Sequence, residues 1–366
     1  MKKALNVLSI SICILLFVCA EGCGKTETLY YNAAWAYLEN GDYEEAIENF
    51  KLSTDEEDDS KDALRGLGIA YVYNEQFEEA VDPFIEALNK SNGHISSVDY
   101  DINYYLGYAY EMSGQYEEAV DTYSALITLR PKESENYYRR AICYLELSKI
   151  EEASADFETV TSMVDDDYDL HIRIYFSILN AGFEEEADSY LTALLDDADR
   201  KISDYDRGRM EYYLKDYSEA RVYLEKAKDY SKPDTILMLG KTYEAIEDYK
   251  YAASLYAEYL DTEGNDASIY NQLGMCRLKI EDYEGAASAF ELGLKLEDAE
   301  CEKELLFNDA VAYEYMHDYE TAFQKFTEYL EKYPKDENAL HEYDFLYTRV
   351  NKLADDTEET SETTGE

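Results

Sequence analysis

Histidine is the side chain best suited to proton transfer and metal ligation near neutral pH. This 366-residue chain has four: His94, His171, His317 and His341. They are far apart, so local spacing supports neither a metal pair nor a nucleophile with its base. The cysteines show no C-x-x-C and no Cys/His ligand pattern, and the sparse set at Cys143, Cys276 and Cys301 cannot form a disulfide framework. Cys143 and Cys276 read as small buried hydrophobes. Acidic runs at 55–59, 165–167 and 196–199 have the ligand density of a calcium site. They lack the alternating ligands, central Gly and terminal Glu of an EF-hand loop, and read as solvated turns. G-x-S-x-G, H-E-x-x-H, P-loop and dinucleotide patterns are missing; the near match Gly22-Cys23-Gly24-Lys25 lies close to the amino terminus. With 33 Lys and Arg against 82 Asp and Glu, the net charge is -49, which disfavours nucleic acid as a partner. The remaining chemistry is that of rings. Thirty-nine Tyr, 12 Phe and 1 Trp offer faces that stack and, for Tyr, a hydroxyl that hydrogen-bonds.

Those rings are placed by a repeat. An alanine recurs at Ala46, Ala80, Ala119, Ala153, Ala187, Ala220, Ala252, Ala286 and Ala322, at intervals of 34, 39, 34, 34, 33, 32, 34 and 36 residues. Four residues later, one helical turn on, stands Phe50, Phe84, Tyr123, Phe157, Leu191, Leu224, Tyr256, Phe290 or Phe326. Twelve residues earlier lies a Gly or Ala in all units but the fifth, which has Tyr175. An aromatic stands three residues before the alanine in seven of the nine. Each unit therefore reads as a helix, a turn and a second helix, the small residue admitting the ring of the facing helix. Pro131, Pro233 and Pro334 read as stops for second helices. Pro83 predicts a bend in the second helix of unit two. The long 39-residue interval places an inserted loop near Ser91–Ser97.

By period and by this series of small residue, aromatic, Ala and aromatic, the chain resembles the tetratricopeptide repeat family over residues 27–336. The resemblance implies an all-α, right-handed α-solenoid of about nine helix-turn-helix units, with first helices on the concave side. Residues 337–353 are expected to form a capping helix over the last unit, and 354–366 a disordered acidic tail.

The amino terminus resembles a bacterial lipoprotein signal: Met1-Lys2-Lys3, an apolar Ala4–Ala20, then Gly22-Cys23. This implies removal of residues 1–22, lipidation of Cys23 with acyl chains that include palmitate, and a short linker over 23–26. Cys19 is a second candidate, and an uncleaved anchor or simple secretion are the alternatives. The expected location is the extracytoplasmic face of the cell membrane, held by the amino-terminal lipid.

Carried onto this sequence, the family's inner surface would be lined by residues fifteen and eleven before each alanine. The candidate groove comprises Tyr31, Trp35, Tyr104, Tyr108, Tyr138, Phe176, Tyr205 and Arg209. Scattered cations argue against a clamp for a terminal carboxylate. The expected function is a non-catalytic, membrane-anchored scaffold that binds a protein or peptide partner, with no cofactor and no metal. Glycan binding by the same rings is the alternative reading.

Overall fold

A computed structural model describes residues 29–54, 61–91, 93, 95–164, 167–229, 231–262 and 264–362. The segments read as 1–22 and 23–26, with Cys23 and Cys19, and His94 lie outside them. Nineteen helices and no strand occur among the described residues.

The helices pair as the alanine ladder requires. One unit ends at Met163. It contains α1 (Leu29–Asn40) with α2 (Tyr43–Leu52), α3 (Lys61–Tyr73) with α4 (Phe77–Asn89), α5 (Ser97–Met112) with α6 (Tyr116–Leu129), and α7 (Ser134–Glu146) with α8 (Ile150–Met163). A second unit begins at Val164. Its pairs are α9 (Tyr168–Asn180) with α10 (Glu184–Asp196), α11 (Asp204–Tyr213) with α12 (Tyr217–Ala227), and α13 (Pro233–Ala245) with α14 (Tyr249–Thr262). They continue with α15 (Ala267–Lys279), α16 (Tyr283–Leu294), α17 (Glu302–Tyr315) and α18 (Tyr319–Lys332), and α19 (Glu337–Glu362) closes on α18.

Every second helix starts three residues before its alanine, and the turn feeding it has one construction. The residue five before the alanine is left-handed in all nine pairs: Gly41, Glu75, Gly114, Ser148, Gly182, Lys215, Glu247, Glu281 and His317, with φ from 57° to 92°. The next amide reaches back five residues, as from Asp42 to the Tyr37 carbonyl at 2.9 Å and from Asp318 to that of Tyr313 at 3.0 Å. This bond satisfies a carbonyl that the end of the first helix would otherwise leave free. In the last four pairs the same residue is an Asp whose carboxylate caps the second helix, Asp282 accepting from the Gly285 amide at 3.1 Å. One position thus ends one helix and starts the next.

The core is the packing of these pairs. All nine marker alanines are fully buried. The residue four later is buried too, and it fills the space that the small residue leaves: a Cβ at Gly68 would lie 2.5 Å from the Phe84 ring and one at Gly107 would lie 3.0 Å from Tyr123. Fully burying such a ring contributes about 1.5–3 kcal/mol. Where unit five has Tyr175 in the small position, its partner is the shorter Leu191, and the Tyr175 hydroxyl donates to the Tyr213 carbonyl at 3.1 Å. Cys143 and Cys276 are buried as expected.

Two expectations change. Pro233 does not stop α12, which ends at Ala227; it opens α13 at the first position, where a missing amide donor costs nothing. The closing helix does not stop at 353: α19 extends to Glu362, through most of the stretch expected as a disordered tail, with no Gly or Pro before Gly365 to end it.

The inserted loop before α5 is tied down. Ser96 caps α5 in a reciprocal box with Asp99, and Asp99 also accepts from Lys61 and Ser91. Burial works to raise the Asp99 pKa, but these donors win and hold the carboxyl well below the usual range.

Candidate functional site

Close pairings of non-consecutive helices join first helices: α1 with α3, α3 with α5, α11 with α13, α13 with α15, and α15 with α17. Odd-numbered helices therefore form the inner row of each unit, where the candidate residues sit.

In the first unit the expected rings are half-buried and engaged with one another. Trp35 meets Phe50 edge-on at 5.4 Å and Tyr31 at 6.3 Å. Tyr138 packs on Phe157 at 5.7 Å. Tyr104 and Tyr108 converge on Arg139 of α7, whose guanidinium lies 4.7 Å from the Tyr108 ring and donates to the Tyr104 hydroxyl at 3.1 Å. Arg139 also pairs with Glu111 at 3.3 Å, and Glu111 accepts from the Tyr123 hydroxyl at 2.8 Å. Burial raises the Tyr104 and Glu111 pKa values. Burial would lower that of Arg139, but Glu111 beside it prevails and raises it. This is a satisfied internal network, and it occupies the two tyrosines.

The second unit is different. Tyr205 and Arg209 of α11 open onto a cleft of about 380 Å³, bounded by Asp169 of α9, Tyr213 of α11, and Asp234, Leu237, Met238 and Lys241 of α13. Arg209 reaches across to Asp169 at 2.7 Å, is held by Asp206 at 3.4 Å, and covers the Tyr205 ring at 5.1 Å. Phe176 stands behind, packed edge-on against Tyr213 at 4.9 Å. Burial raises the Tyr205 pKa, keeping its hydroxyl a neutral donor and acceptor. Leu237 and Met238 supply an apolar floor beside charged groups of both signs. The lining thus sets polar contacts beside apolar surface. No group of three or more His, Cys, Asp or Glu suited to a metal ion occurs among the described residues. Likewise, no described helix is long and apolar enough to cross a membrane.

The structure thus brings Tyr205 and Arg209 together, sets Phe176 behind them, and gathers Tyr104 with Tyr108 around a cation. Sequence reasoning missed Arg139, Glu111, Asp169, Tyr213 and Asp234. The last three sit eighteen or seven residues before their alanines, one turn beyond the positions taken as lining. A search one turn further along each first helix would have found them.

Family models for the tetratricopeptide repeat match residues 31–94, 65–134 and 267–300. Tetratricopeptide repeats are present in both units. Two strains of Prochlorococcus marinus have a photosystem I assembly protein, Ycf3, that is 29% and 30% identical over 94 residues, 25% of this chain. The chain spans about half, 53%, of the length of these curated relatives. Among solved structures, MamA from Desulfovibrio magneticus is 20% identical, with 46% of this chain and 92% of that one covered and a TM-score of 0.39. A tetratricopeptide repeat protein from Parabacteroides merdae is 19% identical, covering 76% and 97% with a TM-score of 0.38. The C-terminal part of a repeat protein from Cytophaga hutchinsonii is 21% identical, covering 67% and 99% with a TM-score of 0.40. TM-scores of this size carry no argument about the site.

Proposed function

We propose that the protein is a non-catalytic interaction scaffold that captures a protein partner through the inner face of its repeats, tethered to the extracytoplasmic face of the cell membrane by lipid on Cys23. One observation carries the binding reading: the α9–α11–α13 cleft, where Tyr205, Tyr213, Leu237 and Met238 stand beside Arg209 and Lys241. Tyr and Arg are enriched among the residues that carry protein interfaces, and each such anchor contributes on the order of 2 kcal/mol. The curated relatives are described as assembly proteins, which accords with a scaffold. The tether rests on the charged, apolar and small-residue series that leads to Cys23, and more than one acyl chain makes such an anchor stable.

The test is cross-linking in intact cells, then affinity purification and mass spectrometry of the full chain and its Tyr205→Ala variant. A partner recovered with the wild type and lost from the variant is expected. Equal recovery removes the cleft from the function, and saturable binding on an oligosaccharide array would move the reading to a glycan. In the same cells Cys23→Ser is expected to leave the membrane fraction, and retention there would refute the lipid anchor.

A further inference from the structure

The polarity of the cleft along α13 is more specific than a general interaction surface. Asp234 lies in the first turn of α13 and is exposed; Lys241 lies two turns later, with Leu237 and Met238 between them. Asp169, 82% exposed, lines the same cleft but is already paired with Arg209. The ion pairs at the cleft, Arg209 with Asp169 and with Asp206, involve neither Asp234 nor Lys241, and Lys241 acts on Glu244 through its charge alone. Arg209, by contrast, is already neutralised by Asp169 and Asp206. One end of the cleft therefore offers the Asp234 carboxylate, which makes no ion pair among the described residues, the middle offers apolar surface, and the far end offers the Lys241 ammonium, which makes none either. Seven residues of helix separate the two charges by about 10 Å.

We propose that this cleft, within the binding reading given above and resting on it, takes an extended peptide segment with a basic and an acidic side chain three residues apart and an aliphatic side chain between them. A polyproline-type segment rises about 3.1 Å per residue with three residues per turn. Residues i and i+3 then lie on the same side, about 9 Å apart, which matches the separation on α13. The basic side chain meets Asp234, the aliphatic one covers Leu237 and Met238, and the acidic one meets Lys241. The acidic group is an internal side chain and not a chain terminus, because only one cation of the cleft, Lys241, stands outside these ion pairs to receive it. In a molecule of net charge -49, a basic residue in the ligand also gains from the field of the whole protein.

The probe is a fluorescent peptide, acetyl-Gly-Ser-Lys-Leu-Pro-Glu-Ser-Gly-amide, measured by anisotropy against the full chain. Parallel probes replace its Lys by Gln or its Glu by Gln, and one Gln version ends in a free carboxylate. The wild type is expected to favour the parent peptide about three- to fivefold over either Gln version, the scale of a partly exposed ion pair. Lys241→Gln should erase the preference for Glu alone, and Asp234→Asn the preference for Lys alone. Both substitutions are at exposed or half-exposed positions, and circular dichroism confirms that each variant is folded. Equal wild-type affinity for all probes, equal loss in both variants, or a preference for the free carboxylate would overturn the assignment. If the peptide preference fails while Tyr205→Ala still loses its cellular partner, the binding reading stands and only this ligand chemistry falls. If partner capture is also unchanged, both fall.

Discussion

Two half-buried carboxyls show how single residues complete the repeat. Where the ring four residues after the alanine is Tyr and not Phe, a Glu eight residues before the alanine receives its hydroxyl: Tyr123 donates to Glu111 at 2.8 Å and Tyr256 to Glu244 at 2.6 Å. Glu111 pairs with Arg139, whereas Glu244 feels Lys241 through its charge alone. Burial raises the Glu244 pKa despite the bonds from Tyr256 and Cys276 and the charge of Lys241. Below the ordinary carboxylate pKa of 4.5, the group is neutral whether folded or unfolded. As pH rises through that value the unfolded chain ionises first, so folding loses stability until the folded carboxyl ionises as well. Glu244→Gln keeps an acceptor for Tyr256 and removes that penalty. The variant is expected to melt higher than the wild type at pH 7, by on the order of 1 kcal/mol, with a flatter pH profile; an equal or lower melting point would refute the account. Asp99 has the opposite sign: its depressed pKa gives stability that is present above pH 3.8 and lost as pH falls.

Turns set the geometry of each helical hairpin, and six of the nine use a non-glycine residue in the left-handed region. That conformation costs an L-residue about 1–2 kcal/mol. The cost is tolerated because the bond closing the first helix forms only there, as from Asp282 to the Arg277 carbonyl at 2.9 Å. Glu281, at φ 63° and exposed, can become Gly without losing a packing contact. Glu281→Gly is expected to stabilise the protein by about 1 kcal/mol, part of the relief being offset by the entropy of the unfolded glycine. Denaturant titration measures this, and a lower midpoint would show that the turn is not strained. At this scale much was readable in advance. The alanine marked the second helix of every pair, and the small residue and the large side chain four after the alanine marked the pairing in all but the fifth, because their spacing mirrors a contact within one hairpin. The role of Pro233 was not readable, since a proline between helices serves equally as the end of one or the start of the next.

The whole molecule carries 82 acidic and 33 basic side chains, and the exposed carboxylates repel one another. The paired acids that open many second helices, such as Glu44 and Glu45 or Glu117 and Glu118, suit their own helix dipoles but add to this field. Salt screens such repulsion, with a Debye length near 10 Å at 0.1 M. Raising NaCl from about 20 to about 300 mM should therefore raise the melting temperature by about 1–2 °C, the shift that ~1 kcal/mol produces in a chain of this size. A fall would mean that attractive ion pairs such as Arg140–Asp156, at 2.7 Å, outweigh the net repulsion.

The sequence by itself determined the helical pairs, their number and the rings that fill them, because a repeat writes its nearest-neighbour contacts at constant spacing. It also marked Tyr205 and Arg209 as neighbours on the inner row. Only the tertiary structure decided that Tyr104 and Tyr108 are committed to Arg139, and that Asp169, Asp234 and Lys241 meet around one cleft. Those groupings join side chains from helices some 30 residues or more apart along the chain. Their charge balance depends on which cations are already paired, and no periodicity records that.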